Sequence, residues 1–455
     1  MATRVKDMTS GSPAKLIFSF AIPLMLGNAC QQFYAMVDTM VVGRGVGVEA
    51  LAALGAADWL NWMVLGIVLG FTQGFSILIS HNFGANDQNK LRKSIAMSFV
   101  LGMIMAVTLT VLALFMAKPI LHLLNTPANI INQSLTYLYI VFSGIIVITL
   151  YNTFSSILRA LGDSRTPLYA MIVAAIINIV LDLLFVMVFK MGVAGAAIAT
   201  VIAQFFSSVF CFFAIRRISI IQIHKEDFKV DFSVIKRLIQ LGTLTAFQNI
   251  VISIGGMVVQ SVVNGFGFIY VAGFTATNKL YGLLELAATS LGFSMATYAG
   301  QNLGAKKYDR IKAGVKAALI MGLLISFVLT AILIPFGKVF LQLFVSGTPE
   351  VTSQVLNIAY HYLFVMSCLL WVLYMLHIYR SALQGMGDTF MPMVSGIAEL
   401  IMRVGTALIL PHFLGSNGIY FAEVTAWCGA VFILFFAYHS KMKKMMSASS
   451  NEKIA

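Results

Sequence analysis

The sequence predicts an all-α membrane protein of twelve transmembrane helices, arranged as two parallel six-helix repeats, an N-lobe and a C-lobe, around a central cavity. Three observations predict it. Of 455 residues, 59% are hydrophobic and only 10% are charged, more apolar surface than the cores of water-soluble domains take up. The apolar residues gather into stretches of spanning length. The same landmarks recur in the same order in both halves of the chain.

The expected helices lie near 15–43, 50–80, 92–117, 128–158, 165–189 and 192–217, and then near 234–264, 268–300, 309–335, 350–384, 389–412 and 416–440. A bilayer core of about 30 Å takes about 20 apolar residues per helical span, so twelve spans leave no room for a large soluble domain. The expected organisation is an N-lobe over 1–217, a polar, basic cytoplasmic linker over 218–231, a C-lobe over 232–440 and a cytoplasmic tail over 441–455.

The duplication rests on paired connections. SHNFGANDQNKLRKS at 80–94 answers to GQNLGAKKYDRIKAG at 300–314, and ALGDSRTP at 160–167 answers to QGMGDTFMP at 384–392. In the second pair Gly-Asp makes a turn and Pro167 or Pro392 starts the next helix. Six helices return the chain to its starting side, so the repeats are parallel and enclose a cavity suited to alternating access rather than to a static pore.

The net charge of +13 would suggest nucleic acid in a soluble protein, but its distribution reads as topology. With a cytoplasmic N-terminus, the inner side collects Arg4, Lys90, Arg92, Lys93, Arg159, Arg216, Arg217, Lys306, Lys307, Arg310, Arg380, Lys441, Lys443, Lys444 and Lys453 among others. The outer loops hold only Arg44, Lys118, Lys190 and Lys338. This predicts a multi-pass protein of the plasma membrane with both termini cytoplasmic, the lipid bilayer as its solvent and no nucleic-acid partner. The first apolar stretch is too long, and too polar at its far end, for a cleavable signal. Cys30, Cys211, Cys368 and Cys428 lie in apolar stretches without metal or redox spacing and are expected to be packing residues.

A carboxylate at the bilayer centre costs about 2.5–3.5 kcal/mol on insertion scales, so each intramembrane acid needs an explanation. Five stand out: Asp38, Asp182, Glu285, Glu399 and Glu423. Asn178 and Asp182 lie one turn apart on one helix face, and Thr200 adds a hydroxyl from the next helix. Asp38, Asn178, Asp182 and Thr200 together make a hard-oxygen set suited to a small cation such as sodium or to a shared proton. An interhelical hydrogen-bond cluster that only holds the lobe together is the alternative.

Several segments in order, IPLMLGNACQQFYAMVDTMVVGRGVGVEALAALG at 22–55, ALGDSRTP, NIVLDLLFV at 178–186 and GVAGAAIATVIAQ at 192–204, resemble the multidrug and toxic compound extrusion (MATE) transporters, and the resemblance covers nearly the whole chain. It implies that Asp38, Asn178, Asp182 and Thr200 form the cation or proton site of the N-lobe. It also implies that Pro23 marks a bend in the first helix, where a missing backbone bond weakens the helix. The C-lobe departs from some sodium-coupled members, because the seventh and tenth helices carry no acid in their cores.

Gln248, Tyr281 and Glu285 are the candidate residues of the substrate cavity, with a structural role for Glu285 as the alternative. Lys279 and Glu285 lie on different faces of the eighth helix, whereas Glu399 and Arg403, four apart, are expected to neutralise each other. Glu423 holds the repeat position of Thr200. Methionines and aromatic rings suit a cavity for apolar cations, although lipid contact accounts for most of them. His224 and the other histidines show no metal-ligand spacing.

The expected function is secondary antiport of small organic cations or drugs against sodium or protons, not enzymatic and with no cofactor beyond the coupling ion. The ATP-binding pattern G-x-x-x-x-G-K-[ST] is absent from the sequence. The alternatives are a lipid-linked oligosaccharide flippase of the same superfamily and a major-facilitator-type transporter, whose loop motif GANDQNKLRKS superficially matches. A flippase groove for a polyanionic head group should be basic, whereas Lys279 and Arg403 are the only spanning cations expected. The sequence selects neither ion nor oligomeric state.

Overall fold

The structure, a computed structural model, describes residues 5–124, 126–345 and 348–454; Arg4 and the side chain of Lys453 lie outside the described residues. The helices run in the order α1 (Pro13–Gly45), α2 (Val48–Gly84), α3 (Gln88–Leu123), α4 (Ile131–Ser143), α5 (Ile145–Ala160), α6 (Arg165–Asp182) and α7 (Gly192–Arg216). They continue with α8 (Phe232–Gly265), α9 (Phe268–Gly304), α10 (Tyr308–Gln342), α11 (Pro349–Cys368), α12 (Leu370–Gly385), α13 (Phe390–Ile409), the single turn α14 (Pro411–Leu414) and α15 (Ala422–Ile454). No strand occurs among the described residues.

Among the described residues, eight helical stretches are long and apolar enough to cross a membrane, and ten when each bent pair counts as one span. The bent pairs are α4 with α5, at 48°, and α11 with α12, at 52°. One of the eight, Phe390–Ala448, includes both α13 and α15. The polar load of α9, with Lys279 and Glu285 among Asn, Thr and Ser, keeps it out of the ten.

Local chemistry sets the ends of these helices. Asp87 caps α3 by accepting from the Lys90 N–H at 3.0 Å. The two Gly-Asp turns form as the sequence predicts: Gly162 and Gly387 take positive φ of 82° and 72°. Asp163 then accepts from the N–H groups of Arg165 and Thr166 at the start of α6, and Asp388 accepts from that of Met391 at the start of α13. The helix expected to end near 440 instead continues to Ile454, because Lys, Met, Ala and Ser beyond it are compatible with helix and no Gly or Pro interrupts them.

The chain forms two compact units, Met1–Asp7 with Ile22–Ala246 and Met8–Ala21 with Phe247–Ala455. The first turns of α8 therefore count with the first unit and those of α1 with the second. In the first unit, Gly70 and Gly74 of α2 meet Ala246 and Gly242 of α8 so closely that a Cβ on Gly74 would lie 2.5 Å from the Gly242 Cα. Small residues four apart on both helices permit that backbone approach. The linker is tied to α3 by Lys93–Asp231 at 2.9 Å and Arg92–Asp227 at 3.6 Å, while Ile218 and Ile221 are buried beneath it.

In the second unit the segment before α1 is held by α9 and α10. The Met8 N–H donates to Gln301 Oε1 at 2.8 Å, and Asn302 Nδ2 and Arg310 Nη2 donate to the Met8 carbonyl. Its apolar core gathers Leu280, Leu284, Leu333, Leu341, Leu356 and Leu363.

Two expectations are corrected here. Arg380, assigned from sequence to the inner loops, lies within α12 and is only 7% exposed, because Glu399 neutralises it inside the protein. Cys368 and Cys428 are exposed rather than packed inside; among the described residues all four cysteines are free thiols.

Candidate functional site

Asp38 lies on α1, Asn178 and Asp182 on α6 and Thr200 on α7, all in the first unit. Asn178 and Asp182 are fully buried, Asp38 and Thr200 partly so. The Asn178 amide nitrogen donates to Thr200 Oγ1 at 3.4 Å, and Asp38 and Asp182 are within electrostatic reach of each other. The backbone changes at the same point. From Leu183 to Val188 the helix widens into a π-helical turn beginning directly after Asp182, a distortion that recurs at functional sites.

The polar bookkeeping is one-sided. Asp38 Oδ1, Asn178 Oδ1, both Asp182 oxygens and Gln204 Oε1 are buried without a hydrogen-bond partner in the protein. All are acceptors, and among the described residues no Lys or Arg pairs with Asp38 or Asp182. An unpartnered buried carboxylate is costly unless a cation or a proton meets it, so the donor set fits a monovalent cation or a proton. No three His, Cys, Asp or Glu side chains among the described residues converge as a metal centre would need.

Three neighbours were missed by sequence reasoning. Gln204 donates to the Tyr34 hydroxyl at 3.3 Å, linking α7 to α1, and Tyr34 is within reach of both acids. Each lies one helical turn from a named site residue, Gln204 from Thr200 and Tyr34 from Asp38, so the same-face rule was signal enough. Asp58 of α2 is the third, an acid in a predicted span whose charge reaches Asp38.

Pro23 is buried within α1, well past the helix start at Pro13, and the helix is continuous across it. It is an interior proline, with the missing backbone bond that implies.

The second unit contains the other candidates. Gln248 is 3% exposed and its Oε1 accepts from Gln384 Nε2 at 3.2 Å. Tyr281 stacks on Trp427 with ring centroids 5.9 Å apart. Glu285 faces His377 of α12, with Oε1 3.4 Å from Nε2, a partner the sequence did not suggest.

Glu399 and Arg403 were expected to neutralise each other, and they do form an ion pair at 3.9 Å, but each also has a nearer partner. Glu399 pairs with Arg380, and Arg403 pairs with Glu423 at 2.7 Å. A partner on another helix approaches head-on, whereas two side chains one turn apart run alongside each other. Arg380 thus joins Lys279 and Arg403 as a cation within a helix, and it is neutralised inside the unit.

This is a polytopic helical membrane protein in which, among the described residues, the buried acids Asp38 and Asp182 of the first unit have no protein cation while Glu399 and Glu423 of the second are paired with Arg380 and Arg403. The MatE family model matches residues 23–184 and matches again over residues 245–409. The chain is 32% identical over 370 residues to the probable multidrug resistance protein YpnP of Bacillus subtilis, covering 79% of this chain and 81% of that one. It is 28% identical over 440 residues to the probable multidrug resistance protein YoeA of the same organism, covering 93% of each. Among solved structures, a MOP superfamily transporter from Pyrococcus furiosus superposes with a TM-score of 0.92 at 23% identity, covering 98% of this chain and 99% of that one. The chain belongs to the MATE family of multidrug transporters, membrane proteins that move solutes rather than transform them.

Proposed function

We propose that this protein is a secondary active antiporter that exports organic cations or drugs in exchange for sodium ions or protons. The observation that carries the reading is the acid pair Asp38 and Asp182 of the first unit, which with Asn178 and Gln204 presents five buried acceptor oxygens and, among the described residues, no protein cation to meet them. A site of that charge gains a cation or proton on one side of the membrane and must release it on the other to be reset. Conformations that differ in affinity for that ion convert its gradient into work.

In this reading the chain has twelve spans, with α4–α5 and α11–α12 each crossing once and α9 completing the count, in two parallel six-helix repeats. Both termini are cytoplasmic in this reading, which the distribution of Lys and Arg supports. Asp38, Asn178, Asp182 and Thr200 hold the ion, and Pro23 lets α1 bend as the occupancy of the site changes. Glu285 and Tyr281 serve the substrate cavity, with Gln248 behind them, while the multidrug names of the relatives support organic cations as the cargo. A flippase for anionic lipid-linked sugars fits less well, since the buried Arg380 and Arg403 are already matched by Glu399 and Glu423.

The test is transport of a fluorescent organic cation into everted vesicles under an imposed ion gradient, comparing wild type with Asp38→Asn. The expected result is loss of gradient-driven uptake with normal insertion. Undiminished uptake by the variant would sink the coupling role.

A further inference from the structure

The two halves place different chemistry at matching positions. Three landmarks set the register. Gly45 and Gly265 end α1 and α8, and each precedes by two residues a positive-φ glycine, Gly47 or Gly267. Pro167 and Pro392 are the third residues of α6 and α13. Gly192 and Gly415 each have φ of 62° ahead of Thr200 and Glu423. Counted from these landmarks, Asp38 answers to Val258, Asn178 to Arg403, Asp182 to Ala407, Thr200 to Glu423 and Gln204 to Trp427.

At these positions the second unit has neither carboxylate, and an ion pair stands where the first unit has a neutral pair. Asn178 and Thr200 are joined at 3.4 Å, and Arg403 and Glu423 at 2.7 Å. The guanidinium has a built place. Its Nη1 donates to the Ile252 carbonyl at 3.3 Å, Glu399 Oε2 lies 3.9 Å from Nη2, and α8 presents Gly255, where a Cβ would stand 3.3 Å from Nη1. Arg403 is 6% exposed, and the adjoining Arg380–Glu399 pair leaves the group with two positive and two negative charges.

We infer that the Arg403 guanidinium is a tethered cation occupying, in the second unit, the place that the coupling ion takes in the first. The second unit then takes up no coupling ion, and each cycle is driven from the first unit alone. The inference rests on the reading of Asp38, Asn178, Asp182 and Thr200 as the ion site. A bound ion leaves when its gradient or a conformational change favours release; a guanidinium on the backbone cannot, so the second unit keeps its charge balance throughout the cycle.

The experiment uses the purified full-length protein and methylguanidinium chloride as the probe, with choline chloride at equal concentration as the control. Arg403→Ala leaves Glu423 and the Ile252 carbonyl around a guanidinium-sized space. Its unfolding midpoint is expected to fall and to rise again by several degrees with millimolar methylguanidinium, whereas wild type and Arg403→Gln/Glu423→Gln respond to the two salts alike. An Arg403→Ala midpoint indifferent to methylguanidinium would overturn the inference.

The second arm covers a variant too unstable to purify. The number of coupling charges moved per substrate, from reversal potentials in proteoliposomes, is expected to be the same in wild type and in Arg403→Gln/Glu423→Gln; a changed number overturns the inference. The midpoint assay needs no transport, so it still decides the tethered cation if Asp182→Asn proves fully coupled and the first-unit reading fails.

Discussion

Asn178 commits its amide nitrogen to Thr200 at 3.4 Å, which leaves its carbonyl oxygen buried and without a hydrogen-bond partner. That division of one side chain into a committed donor and an available acceptor orients the site toward positive charge. Thr200→Val removes the anchor and frees the amide to turn. The expected outcome is a loss of ion coupling of about 1–3 kcal/mol, or about 5- to 150-fold in ion affinity, with substrate binding retained. Ion titrations of substrate release measure it; an unchanged half-saturation would show that the anchor is dispensable.

Removing one member of the buried pair Arg380–Glu399 strands the other charge inside the second unit. Glu399→Leu alone is expected to destabilise by about 3–5 kcal/mol, and Arg380→Met/Glu399→Leu by much less, since the pair itself contributes little net stability. Denaturation midpoints of the two variants decide this. A double variant as damaged as the single one would mean that the pair is held for something beyond charge balance.

The α2–α8 contact depends on the absence of side chains. Gly74→Val would drive a Cβ to 2.5 Å from the Gly242 backbone, so the helices must separate. A loss of about 1–3 kcal/mol is expected, read as a lower unfolding midpoint and poorer yield. A variant with the wild-type midpoint would refute the close packing.

The linker clasp is not the source of any pH response near neutrality. The Lys93 side chain bonds to Asp231 and, with the capping N–H groups of Val234 and Ser233, holds its carboxyl below the usual carboxylate range. A depressed folded-state value means that the contribution is present above the ordinary value, about 3.9, and is lost only as pH falls through the lower one. Asp231→Asn should leave the shape of the pH profile of transport between about pH 6 and 8 unchanged. A profile displaced by this variant would implicate the linker.

Helix positions and the Gly-Asp turns were legible because each depends on local sequence: apolar run length, a glycine able to take positive φ, an aspartate placed to cap. Asp38 and Asp182 were conspicuous for a different reason, as acids in apolar spans, and Asn178 stood one turn from Asp182. Partners across helices were not. Nothing near Glu399 announces Arg380, nineteen residues away on another helix, and the i to i+4 rule pointed instead to Arg403. His377 beside Glu285 was hidden in the same way. Asp58 was within reach and was passed over because it lies near the start of its span.

In the proposed cycle the Asp38–Asp182 cluster converts an ion gradient into export. Proteoliposomes loaded with a fluorescent organic cation, and given either a pH gradient or a sodium gradient alone, test it most directly when wild type and Asp182→Asn are run side by side. Wild type should transport under at least one gradient, which names the coupling ion, and Asp182→Asn should transport under neither while still binding the cation. Gradient-driven transport by Asp182→Asn at the wild-type rate would contradict the account.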